Sequence, residues 1–250
     1  MKQLIFIACG FFVTFQLFAA SEQYVVRTEV SFCKYNEGKD YDDVVKYQQE
    51  YEKFLRKNNL KYSKSILTPV LAGNNEFDFV LWGTWPDGSE MYKEYGAYLN
   101  DFKNPKTNPA TCNGNFAFIN TAARHLRIDS EDYDRIQFVD FANCKFTEES
   151  DFQELLKVSA KHEEYSRELG AEGYGVHYLR PYRGFNDDVP YDMVRMVHWY
   201  NSDKRAEAAA KWPETRDFMR EKGIYAEYAK HVQCGQIRTF GMEWLYDSSS

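Results

Sequence analysis

The sequence lacks the motifs that announce most reactions. It has no C-x-x-C-H for covalent haem attachment, no H-E-x-x-H, no G-x-S-x-G around a nucleophilic serine and no phosphate-binding P-loop. Lys161-His162-Glu163-Glu164 has no second histidine at helical spacing, so no metal site is predicted. There is no Lys/Arg cluster, and 31 basic residues face 38 acidic ones, for a net charge of −7. Phosphate backbones need a positive surface, so nucleic acid is excluded as the expected partner. Beyond Ala20 no stretch is apolar enough to cross a bilayer. Cysteine is scarce, five in 250 residues, and its positions prove informative. What is present is globular in character: 44% hydrophobic and 28% charged, which argues against disorder. A chain of this length can bury one large core or fold as two units of about 115 residues.

Met1-Lys2 opens the chain, an apolar run follows from Leu4 to Ala20, and Ser21-Glu22-Gln23 ends it. A positive start, a short apolar core and small residues describe a secretory signal peptide over residues 1–21, with Ala19-Ala20-Ser21 as the cleavage site. The run is short for a membrane anchor and is interrupted by Thr14 and Gln16. Cys9 stands too early for a lipoprotein cysteine. The expectation is a soluble chain, periplasmic or secreted, with no membrane contact once the leader is removed. Export would place Cys33, Cys112, Cys144 and Cys234 where disulfides form. Four cysteines allow three pairings, and spacing alone does not choose among them.

An internal duplication does. Ser31-Phe32-Cys33-Lys34-Tyr35 matches Ala142-Asn143-Cys144-Lys145-Phe146, and Leu67-Thr68-Pro69 matches Leu179-Arg180-Pro181. Phe79–Trp85 matches Met193–Trp199, and Cys112 matches Cys234, at an offset that grows from 111 to 122. Each half reads as strand, helix, two strands, helix and strand. Val25–Phe32 and Ile136–Ala142 open the halves as β-branched and aromatic strands. Helices follow at Asp43–Lys57 and at Glu148–Leu169, the latter with Thr147 as its N-cap and Gly170 as its stop. Strand pairs come next: Ser63–Leu71 with Phe77–Trp85, and Gly175–Tyr182 with Met193–Trp199. The second helices are Ser89–Phe102 and Asp203–Lys211, the latter broken at Pro213 and resumed from Glu214. Asn115–Ala123 and Gln236–Leu245 close the halves.

The order βαββαβ is the ferredoxin-like unit, whose strand order 4-1-3-2 sets the end of strand 1 beside the start of strand 4. Cys33 and Cys112 hold those two corners in residues 22–130, and Cys144 and Cys234 hold them in residues 131–250. The predicted disulfides are therefore Cys33–Cys112 and Cys144–Cys234. Two such units in one chain resemble the dimeric α+β barrel superfamily, and the resemblance spans the whole mature chain. It implies an α+β fold of two tandem ferredoxin-like units packed sheet-to-sheet as an intrachain barrel. The third strands agree, because Phe79, Val80, Leu81 and Trp82 are apolar on both faces, as are Met193, Val194, Met196 and Val197. That superfamily includes cofactor-independent monooxygenases, haem-binding chlorite dismutase-like and haem-degrading enzymes, small cyclases and isomerases, and members with no known activity. Its ligands often sit between a sheet and its own helices.

Polar residues aimed at that layer concentrate in the second half. His162 stands one heptad from both Leu155 and Leu169, so it faces the sheet, where the first half has Tyr51. His177 and His198 lie on the two middle strands near Arg180, Arg195 and Trp199, and Tyr165, Tyr178 and Tyr182 add phenols. A pocket of this composition suits acid–base chemistry on an anionic or enolisable substrate, with His162, His177, His198, Arg195, Tyr178 and Asp140 as catalytic candidates. Trp199, Arg180 and Tyr165 are the ligand-binding candidates. Sheet-facing histidines and tyrosines also serve as core residues with satisfied hydrogen bonds. Glu29 and Asp140 stand at matching places in the first strands, where a carboxylate needs a partner. Arg124 is expected for Glu29, and Arg195 or Arg238 for Asp140. Left unpaired in the pocket, Asp140 would become a general base.

Three functional readings follow. The first is an exported protein that binds a small organic ligand in its C-terminal half, of the cofactor-independent oxygenase, isomerase or lyase kind. The second is a non-catalytic binding or structural module, and the third is a noncovalent haem protein. No cofactor is predicted under the first two. Association of identical copies stays open.

Overall fold

The computed structural model describes residues 25–148 and 150–247. The expected leader lies outside them. Each half follows the anticipated order. The first runs β1 (Val25–Tyr35), α1 (Tyr41–Lys57), β2 (Ser63–Leu71), β3 (Phe79–Trp85), α2 (Gly88–Asp101) and β4 (Ala110–Leu126). The second runs β5 (Ile136–Phe146), α3 (Phe152–Glu168), β6 (Tyr174–Arg183), β7 (Met193–Trp199), α4 (Ser202–Ala210), α5 (Trp212–Glu221), α6 (Ile224–His231), β8 (Val232–Cys234) and β9 (Arg238–Asp247). Among the described residues no helix is long and apolar enough to cross a membrane.

Strand pairing is antiparallel throughout and gives β4-β1-β3-β2 in the first half and β9-β5-β7-β6 in the second. The two sheets do more than stack. β4 pairs with β6 and β2 pairs with β9, so both seams are hydrogen-bonded and the sheets close into a barrel. Its interior takes side chains from every long strand, including Val30, Leu67, Trp82, Phe118, Val139, Leu179, Met196 and Phe240. Closure removes the free edges that an open sheet would expose to other chains.

The duplication holds at the level of register. Cys33 stands opposite Phe79 and Cys112, while Cys144 stands opposite Met193 and Cys234. Both cysteine pairs are bonded, each with its Cα atoms 4.0 Å apart. Asp78 and Asp192 repeat one further detail. Each donates its backbone N–H to the carbonyl of the first cysteine of its unit, and each carboxylate accepts the N–H two residues beyond that cysteine, at 2.9 Å from Tyr35 and 2.7 Å from Phe146.

β1 and β5 run past their expected ends to Tyr35 and Phe146, α6 and β8 are additional, and two further boundaries differ in an instructive way. α3 starts at Phe152, and its cap is Asp151, whose carboxylate accepts the N–H groups of Gln153 and Glu154 at 2.8 and 3.0 Å. The hydroxyl of Thr147, the expected cap, instead donates to the Lys230 carbonyl at the end of α6, 2.5 Å away. β4 begins at Ala110, so Cys112 lies inside the strand. The polar run Thr111–Asn115 hides this, because it pairs with β1 across a bulge near Ser31.

Candidate functional site

Between the sheet of the second half and α3, α4 and α5 lies a cavity of about 590 Å³. His162 reaches it from α3, Arg195 and Trp199 from β7, Asp140 from β5 and Arg124 from β4. Strand alternation selects this set, since Arg195, Val197 and Trp199 are two apart and share the helix-facing side of β7.

The same alternation sends His177 and His198 to the opposite face. His177 shares parity with Leu179 and His198 with Met196, both in the barrel interior. There His177 Nδ1 pairs with Asn120 Oδ1 at 3.1 Å, and His198 Nε2 pairs with Gln137 Oε1 at 2.5 Å. Burial, the largest cause, pushes both imidazoles down to about 3, so both are neutral core residues outside the cavity. Tyr178 faces the helices, but its hydroxyl is engaged with Ser159 at 2.7 Å and Tyr228 at 3.3 Å. Tyr165 packs between α3 and the later helices against Phe218. Arg180 lies over the Phe152 ring. None of these three lines the cavity.

Asp140 lines it with both carboxylate oxygens occupied. Arg205 Nη2 and the Thr239 hydroxyl donate to Oδ1 at 3.0 and 2.5 Å, and Trp199 Nε1 donates to Oδ2 at 3.2 Å. The partner is thus Arg205, seven residues beyond His198 in sequence, and neither Arg195 nor Arg238. Glu29 is held by Lys64 at 3.5 Å, Tyr95 at 3.0 Å, Asn115 at 2.8 Å and the Tyr62 hydroxyl, and not by Arg124.

Arg124 is instead part of the cavity, which sequence reasoning missed. It is 7% exposed, and its Nε has no hydrogen-bond partner. Arg195 Nε is likewise buried and unpartnered, and neither guanidinium forms an ion pair among the described residues. His162 Nδ1 is a third buried polar atom without a partner. Burial, and after it the charges of Arg124 and Arg195, push the His162 imidazole down to about 2. The cavity therefore holds the two unpaired guanidiniums and a neutral imidazole, and its wall also carries Lys211, Lys204 paired with Glu172 at 2.7 Å, and Arg205 paired with Asp140 at 3.0 Å.

The first half supplies an internal comparison. Matching register equates Tyr51 with His162, Leu81 with Arg195 and Tyr246 with Arg124. In the first half Tyr51 and Tyr246 pack with Tyr62 and Trp85 in one aromatic cluster that fills the layer. At those three positions the second half substitutes one histidine and two arginines, and the layer opens. Each unit's layer is also completed by the other unit's last strand, since Arg124 comes from β4 and Tyr246 from β9.

No family model and no curated protein matches the chain. Solved structures do. A mutant chlorite dismutase from Candidatus Nitrospira defluvii is similar at 10% identity and TM-score 0.50, over 90% of this chain and 94% of that one. A heme-binding protein from Thermus thermophilus is similar at 11% identity and TM-score 0.48, over 88% and 93%. An anthrone oxidase-like protein is similar at 13% identity and TM-score 0.48, over 91% and 96%. The likeness is one of fold: two tandem ferredoxin-like units closed into an α+β barrel. As an intrachain dimeric α+β barrel, this protein builds from one sequence what two chains can build together, and its two helix layers are free to differ.

Proposed function

We propose that the protein binds a small organic anion in the cavity between the second sheet and its helices, with Arg124 and Arg195 as its charge partners. The carrying observation is the pair of buried guanidiniums with unpartnered Nε atoms. A buried charge without a counter-charge costs several kcal/mol, and an anion between the two would offset that cost. Asp140 offsets Arg195 and Glu163 offsets Arg124 only weakly: neither acid forms an ion pair with its arginine, and Arg205, Thr239 and Trp199 already occupy Asp140. His162 is then a neutral contact whose proton affinity rises when an anion offsets the two arginines, which is where acid–base chemistry would enter. A thermal-shift panel of aliphatic and aromatic mono- and dicarboxylates tests this. Arg124→Gln and Arg195→Gln are each expected to weaken a hit at least tenfold. A hit unchanged by both variants sinks the reading.

One observation favours a second occupant of the same site, a noncovalently held haem. His162 offers an unprotonated ring nitrogen inside the cavity, and two guanidiniums could meet two propionates. Bound there, haem would supply redox chemistry to whatever reached its open face. The fit lacks one part: Nδ1 of His162 has no carboxylate or carbonyl to orient the ring. Hemin titration distinguishes the two occupants. A Soret shift lost in His162→Ala supports haem, and its absence with carboxylate binding retained leaves the organic anion alone.

Export to an oxidising compartment belongs to the same proposal and is supported by the two disulfides. So does the division into units at residues 22–130 and 131–250.

A further inference from the structure

The barrel has a second cavity, separate from the helix layer. About 630 Å³ of space lies inside the barrel at the end where the disulfides sit, walled by Phe32, Val80, Trp82, Phe118, Phe141 and Phe240. Eight-stranded barrels are just wide enough to be filled by side chains or to hold one small ligand. This lumen does both, at opposite ends. The far end is filled by the polar pairs His177–Asn120 and His198–Gln137, with Asn120 Nδ2 donating to Thr28 Oγ1 at 3.2 Å. The near end is apolar and unfilled, whereas protein interiors rarely leave voids larger than a water molecule.

The mouth is built with distinct chemistry. The loop between β6 and β7 folds over it, and Phe185 packs on Phe116 and Phe118 with ring centroids 5.2 and 4.9 Å apart. The loop departs at Gly184, φ +82°, where a Cβ would stand 2.3 Å from the Asn115 carbonyl oxygen. Arg238 stands at the rim with Asn143 Oδ1 at 3.4 Å, and it forms no ion pair among the described residues. Asp188 is the acidic residue on the same rim.

We infer that the barrel lumen is a binding site for an elongated apolar carboxylate, with its chain among the aromatic walls and its head group at Arg238. Apolar walls take the hydrocarbon by surface burial, and the rim cation fixes which end stays outward. This site shares no residue with the arginine cavity and does not depend on it.

Displacement of 1-anilinonaphthalene-8-sulfonate from the full chain, followed by fluorescence, tests it with dodecanoate and 1-dodecanol. Dodecanoate is expected to bind saturably at one per chain, and dodecanol about tenfold more weakly. Arg238→Gln, a surface change, is expected to lower dodecanoate affinity about tenfold and leave dodecanol unchanged. Val194→Phe, which adds bulk inside the mouth, is expected to weaken both at least tenfold. Equal affinity for acid and alcohol, or no effect of Arg238→Gln, overturns the head-group assignment. Absence of saturable binding overturns the site, and so does dodecanoate binding that is lost in Arg195→Gln but kept in Arg238→Gln and Val194→Phe.

Discussion

Glu94 sits buried on α2 beside Trp85, whose Nε1 donates to it at 3.3 Å, and burial together with the nearby Glu29 charge raises its carboxyl from 4.5 to about 8. A raised folded pKa means the folded state holds the proton more tightly, so this contribution is complete below pH 4.5 and is lost as pH rises toward 8. His177 and His198 act in the other direction. Their folded values near 3 lie below the ordinary 6.5, so their contribution is complete above 6.5 and is lost as pH falls toward 3. Two histidines outweigh one carboxyl between 4.5 and 6.5, which places the maximum set by these groups near pH 6.5. Urea midpoints across pH 4–9 are expected to peak there. Glu94→Gln should keep the Trp85 hydrogen bond and raise stability at pH 8 by roughly 2–4 kcal/mol, with little gain at pH 4.5. An unchanged alkaline limb would refute the assignment. Residue chemistry was legible where local pattern carries it: the heptad of Leu155, His162 and Leu169 put His162 in the right layer. His198 and Trp199 are adjacent on one strand and cannot share a face, yet which face held the cavity was not written locally. Arg205 and Arg124 reach their places through helix breaks and strand pairings that no short-range pattern records.

At the level of elements, the units were readable because their apolar periods are strong, and the ends were not, because polar residues near an end compete to cap it. Asp151 and Thr147 both satisfy the N-cap preference, and the choice is made by α6, whose Lys230 carbonyl takes the Thr147 hydroxyl. Asp151→Ala is expected to cost about 1 kcal/mol by urea denaturation, and a neutral result would show that α3 is set by packing alone. β3 carries a sharper constraint. Gly83 lies under the Tyr62 ring, and a Cβ there would stand 1.9 Å from the Tyr62 hydroxyl oxygen, with ring carbons at 2.5 and 2.6 Å. Its matched position in β7 is Val197, which lines the open cavity, while Tyr174, the match of Tyr62, packs on Trp199 with ring centroids 4.8 Å apart. Gly83→Ala must displace Tyr62 and with it a hydrogen bond to the buried Glu29, so a loss of about 2–4 kcal/mol is expected. A variant with wild-type thermal stability would show that the aromatic layer is slack, and would remove the contrast between a filled first layer and an open second one.

The barrel itself follows from the resemblance, but the strand pairs that close it are the property of the whole molecule least legible in the residues. A strand pattern shows that a face is buried but does not name the neighbour along the hydrogen-bonding direction, and both seams join residues from different halves. Closure has two consequences. It brings Arg124 into the second layer and Tyr246 into the first, so neither layer is complete within one unit. It also leaves each isolated unit with two open edges, β2 and β4 in the first, β6 and β9 in the second. The disulfides cannot compensate, since Cys33–Cys112 and Cys144–Cys234 each lie within one unit, although each closed loop could stabilise its unit by roughly 4–5 kcal/mol in the chain-entropy model. Residues 22–130 produced alone under oxidising conditions should therefore not persist as a native monomer. Pairing β4 of one copy with β2 of another would rebuild a two-fold barrel, but it would bring Arg124 to the place of Tyr246, against Tyr51 and Tyr62. Light scattering after size exclusion is expected to show dimers or larger species that melt below the intact chain, and adding residues 131–250 should restore a one-to-one complex that regains the Tyr246 packing. A monomeric first half with the stability of the full chain would mean that its aromatic layer needs nothing from the second, and that the two seams tie together units which are already complete.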